Sequence, residues 1–132
     1  MTEFSVPTHG TICWHELASR DLEAAKAFYT EMFGWELAKS KVSPVAYDEI
    51  HIGGRAVGGM MAIEASRGAE PPPSHWTAHN AGDNAATNAE AIRANGGIVN
   101  HGPFDAPGVG RIVLCSDPCG AHFAVIQFAA PA

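Results

Sequence analysis

The sequence predicts an α+β protein built as two tandem βαβββ modules forming a curved sheet around a cup, with the helices outside. Three observations lead there. Two segments carry helical periodicity, and each is followed by three short strand-like runs. A proline-rich stretch, Glu70–Pro71–Pro72–Pro73–Ser74, divides the chain near its middle and reads as a stiff extended linker. The two halves also superpose on themselves: a shift of 62 places Trp14 on Trp76, Asp21 on Asp83, Ala24 on Ala86, Ala27 on Ala89 and Gly34 on Gly96. A period of this length is too long for a solenoid repeat and suits a duplicated module.

The elements follow in order. A strand is predicted over 11–17. Ser19, Arg20 and Asp21 then offer caps for a helix over 21–33, with Leu22, Ala25, Phe28, Tyr29 and Met32 on its apolar stripe and Gly34 ending it. Strands are predicted over 35–39, 45–52 and 56–63, with Gly53–Gly54 as a tight turn and Gly58–Gly59 as a place where something packs closely on the strand. Module one thus covers about 9–65 and the linker 66–74. Module two, about 75–128, opens with a strand over 76–81. A helix over 84–95 follows, capped by Asp83 and buried through Ala85, Ala89 and Ile92, and then strands over 98–101, 111–116 and 122–128. Residues 103–110, rich in Gly and Pro, read as a long loop.

Composition narrows the function classes. The chain has 132 residues, 46% hydrophobic and 17% charged, which is ample for one globular core. Eight Lys and Arg against fourteen Asp and Glu, with no basic cluster, argue against a nucleic-acid partner. No apolar run reaches the ~20 residues of a membrane span. Three cysteines, Cys13, Cys115 and Cys119, and no export-like start point to reduced thiols and a cytoplasmic location.

The stretch Trp14-His15-Glu16-Leu17, Asp21, Phe28-Tyr29 and Phe33-Gly34-Trp35 resembles the first module of the vicinal oxygen chelate superfamily, the group of glyoxalases, bleomycin-resistance proteins and extradiol dioxygenases. The second module is similar through His75-Trp76, Asp83, Gly96-Gly97, Gly102-Pro103, Pro107-Gly108-Val109-Gly110-Arg111 and Asp117-Pro118-Cys119-Gly120-Ala121. The resemblance implies the cup fold and, in most members, a divalent metal held by one residue from each of four strands. Those positions fall here on Trp14, Thr77, Ala124 and the segment Val57-Gly58-Gly59-Met60, which cannot supply the usual ligands. The expectation is therefore a small-molecule-binding protein with no cofactor, its pocket lined by Trp14, Glu16, Met60, Thr77, His79, His122 and Ala124, its ligand largely apolar or aromatic. The family further implies a homodimer.

An enzyme remains the alternative. Residues two apart on a strand share a face, so Glu16, His79 and His122 join Trp14, Thr77 and Ala124. With the first strand of each module running antiparallel to its last, the trio is the usual site displaced by one side-chain repeat. Two histidines and a carboxylate suit Zn or Fe, and would serve a dioxygenase, lyase or isomerase. Glu16 and His79 could also form a metal-free acid–base pair. Glu16 as a structural anchor, paired to Arg111 or Arg55, is the plain reading. Cys119 reads as a structural thiol.

Overall fold

The computed structural model describes residues 6–41, 46–63, 72–106 and 109–129. Most of the linker, and Pro107–Gly108, lie outside the described residues. The chain divides into two compact units, Trp14–Thr77 on the one hand and Ala78–Ala132 with the first thirteen residues on the other. The element order is β1 (Ile12–Ser19), α1 (Leu22–Phe33), β2 (Glu36–Lys39), β3 (Asp48–Ile52), β4 (Arg55–Ala62), β5 (His75–Ala81), α2 (Ala85–Ala94), β6 (Ile98–Ala106), β7 (Gly110–Ser116) and β8 (His122–Phe128). This is βαβββ twice over, an α+β fold. No helix among the described residues is long and apolar enough to cross a membrane.

In the unit of residues 14–77, β2 pairs antiparallel with β3 and β3 with β4, while β4 pairs parallel with β1. Helix α1 starts where Asp21 accepts a hydrogen bond from the Ala24 amide, and stops where Gly34 turns left-handed at φ 67°. Its inner residues Leu22, Ala25 and Tyr29 pack on a core of Leu17, Ile50 and Met60. Lys26 reaches from the same helix to the largely buried Asp48 carboxylate at 3.2 Å. That contact lifts the Lys26 pKa, because the ammonium is stabilised by the carboxylate it bonds.

The other unit repeats the plan: β6 antiparallel to β7, β7 antiparallel to β8, and β8 parallel to β5. Ala85 and Ala89 of α2 are buried against Val113, Cys115 and Val125, with Ile92 beside them, as the apolar stripe predicts. Two boundaries differ from expectation. Asn84, not Asp83, caps α2, accepting from the Thr87 amide at 3.0 Å. Asp83 instead bonds the Asn88 side chain. And β6 does not end at residue 101 but runs to Ala106, because Phe104 and Asp105 keep pairing with Ile112 and Arg111 across two register shifts. Gly and Pro mark irregular strand here as much as loop.

The parallel pairing of β1 with β4 and of β5 with β8 corrects the antiparallel arrangement expected for the first and last strands of each module. Strand–helix–strand–strand–strand carries the chain past the hairpins and back, so its fourth strand returns alongside the first in the same direction.

Candidate ligand-binding site

Strand register defines the sheet face of the first unit that turns away from α1. Glu16 pairs with Gly59 and Gly59 with Glu49, while Ala18 pairs with Met61. Trp14, Glu16 and Ala18 therefore share this face with Gly59, Met61, Tyr47 and Glu49, while Leu17, Ile50 and Met60 turn to the helix. Met60 has no exposed surface and turns to the helix, so of the two methionines it is Met61, not the expected Met60, that stands on this face.

A hydrogen-bonded chain of three side chains crosses the face. The Trp14 indole N–H donates to the Tyr47 hydroxyl at 2.9 Å, and that hydroxyl donates to Glu16 Oε1 at 2.9 Å. Glu16 is thus anchored by Tyr47 rather than by an arginine; Arg111 pairs with Asp105. The Tyr47 ring lies where a β-carbon on Gly59 would stand, and a β-carbon on Gly58 would meet the His15 carbonyl. The two glycines are the close approach their sequence suggests. Burial, then the charge of Glu16, pushes the Tyr47 phenol far above its ordinary pKa, so it remains a proton donor at neutral pH. Next along β3, His51 Nε2 sits 3.2 Å from Glu49 Oε1.

Beside this chain of side chains opens a groove of about 410 Å³, lined by Ala18, Ala46, Met61, Ala62, Ile63, Pro72 and His75. Its volume is that of an ordinary small-molecule site. His75 Nδ1 is 2.7 Å from the Pro73 carbonyl. A carbonyl only accepts, so Nδ1 carries the proton, and in the neutral ring Nε2 is an acceptor. At the Pro72 end, Arg20 Nε donates to the Pro72 carbonyl.

In the second unit, His79 is level with Ala124, and His122 stands one side-chain repeat earlier on β8. Because β5 and β8 run parallel, two steps forward on one and two back on the other go in opposite directions, and His79 and His122 are offset by one side-chain repeat, ~6–7 Å, along the strands. Glu16, His79 and His122 are therefore not the usual positions displaced together in one direction. His79 and Ala124 are buried, and His122 Nδ1 lies 3.2 Å from the Ser116 hydroxyl. Among the described residues no group of three His, Cys, Asp or Glu could hold a metal ion. Nor do Trp14, Thr77 and Ala124 fit one: an indole, a hydroxyl and a methyl offer no strong donor set. Burial pushes the Cys115 thiol up to about 11 and raises Cys13 as well, so neither is a ready nucleophile.

Sequence reasoning missed Tyr47. The signal was present: it stands two before Glu49, the residue that pairs with Gly59.

The profile of the Glyoxalase/Bleomycin resistance protein/Dioxygenase superfamily matches residues 11–125. The chain belongs to that superfamily. It is 35% identical over 123 residues to a Mycobacterium tuberculosis protein named "Putative glyoxylase CFP32", covering 89% of this chain and 44% of that one. It is 30% identical over 136 residues to the anthracycline biosynthesis protein DnrV of Streptomyces peucetius, covering 95% and 48%. The chain thus spans about half the length of the curated relatives it matches. Among solved structures, methylmalonyl-CoA epimerase from M. tuberculosis shares the fold, with a TM-score of 0.62 at 15% identity over 98% of this chain and 94% of that one.

Proposed function

We propose that this protein binds a small, largely apolar or aromatic molecule in the groove beside Trp14, without a metal at the usual family positions. The observation that carries the reading is the conversion of the first ligand position to Trp14, whose indole is hydrogen-bonded through Tyr47 to Glu16 and so held in place on the face that continues into the groove. A fixed indole on the face that continues into an apolar groove favours a flat ligand. The name of the S. peucetius relative supports a polycyclic aromatic as its class. Titration calorimetry with 1,4-dihydroxyanthraquinone tests it: binding by the wild type, lost in a folded Trp14→Ala variant, is the expected result. Absence of binding by the wild type refutes it.

The working form under this proposal is a cytoplasmic homodimer. The three cysteines are free, which suits a reducing compartment. Sedimentation showing only monomer at micromolar concentration would remove the dimer.

A further inference from the structure

We propose, resting on that groove reading, that His75 selects the ligand: an aromatic ring bearing a hydroxyl that donates to His75 Nε2. Of the described residues lining the groove, His75 alone has a side chain with a nitrogen or oxygen; the other six are alanine, methionine, isoleucine and proline. Its Nδ1 proton is taken by the Pro73 carbonyl at 2.7 Å. The polar atom left to a ligand is Nε2, and in the neutral ring that nitrogen accepts. Among the described residues, the Pro73 carbonyl is the one hydrogen-bond partner of the ring. The groove therefore asks its occupant for one donor and, elsewhere, for apolar surface.

The position of the imidazole is set before a ligand arrives. Arg20 holds the segment leading to it at two points: its Nε donates to the Pro72 carbonyl and its amide to the Ser74 hydroxyl, both at 2.9 Å. Pro72 and Pro73 have φ fixed by their rings, and His75 is the first residue of β5. Little ordering is left to do on binding. His75 is exposed, so a ligand hydroxyl replaces a water on Nε2 and the net gain is modest. The larger effect is discrimination. An ether or ketone at the same place displaces that water and offers no proton in return, which leaves the acceptor unpaired. The class selected is the hydroxyarene, over ethers and ketones of the same ring.

The test compares 2-naphthol with 2-methoxynaphthalene by fluorescence titration at about pH 8, where free imidazole is mostly neutral. The expected result is that the naphthol binds about three- to tenfold more tightly than its ether. His75→Phe keeps a ring and removes the acceptor, and should bring the two affinities together by weakening the naphthol alone. His75→Gln can present its side-chain oxygen to the hydroxyl and should restore part of the preference. Thermal melts confirm that both variants fold. Ala18→Trp should fill the groove and abolish binding of both probes. Equal affinities in the wild type, with Ala18→Trp still blocking, would overturn the selection by His75 and leave the groove reading standing. So would a naphthol preference that survives His75→Phe, or a His75→Phe loss equal for both probes, which would make the imidazole a wall and nothing more. If neither probe binds, both readings fall.

Discussion

Substituting Gly59 by alanine isolates the packing that organises the site. Gly59 is on a strand, and its backbone does not need the left-handed conformation, so alanine brings no backbone strain of its own. The cost comes from one collision, because the new β-carbon would occupy the position of the Tyr47 hydroxyl and ring edge. If Tyr47 stays, the site is overpacked, at about 1–3 kcal/mol. If it swings out, its bonds to Trp14 and Glu16 are lost, at about 0.5–1.5 kcal/mol for the neutral one and about 1.5–3 kcal/mol for the one to a carboxylate. Either route predicts destabilisation of roughly 2–3 kcal/mol. In a Tyr47→Ala background the obstacle is gone, and Gly59→Ala should then cost less than about 0.5 kcal/mol. Urea unfolding of the four proteins in the cycle measures this, with tryptophan emission reporting the loss of the Trp14 hydrogen bond. A Gly59→Ala cost that is the same in both backgrounds would refute the assignment of Tyr47 to that space.

Three further outcomes follow from the same contacts. Tyr47 is held protonated in the fold, so its contribution to stability is complete below the ordinary tyrosine pKa and declines as pH rises above about 10; Tyr47→Phe should flatten that alkaline slope in urea titrations at pH 9 to 11. Cys115, raised to about 11 by burial, likewise contributes stability that is present below its unfolded pKa and lost as pH climbs toward 11, and Cys115→Ala should remove that part of the pH dependence. Asp21→Ala removes the cap of α1 and should lower stability by about 1 kcal/mol, whereas Asp83→Ala should cost clearly less, since Asn84 caps α2; equal losses in thermal melts would contradict the capping assignment.

Local chemistry explains what could be read from residues alone. Asp21 and Gly34 bound α1 because a carboxylate can accept an orphan amide and a glycine can turn left-handed, and both requirements involve only neighbours in the chain. The alanine stripe of α2 and the alternation along β7 and β8 are likewise periodicities of one element, and the internal repeat tied two such sets together. The glycine pair even announced a close approach at 58–59 without naming what approached. The direction in which β4 returns beside β1, by contrast, depends on how four strands fold back on one another, and no residue encodes it singly. That direction means that His79 and His122 are not the usual positions displaced together. The one-residue difference between Met60 and Met61 has the same origin: strand side chains alternate, and only the pairing of Ala18 with Met61 decides which methionine faces the groove and which the core. Tyr47 joins Trp14 and Glu16 from more than thirty residues away. A contact of that kind exists only once β3, β4 and β1 lie side by side.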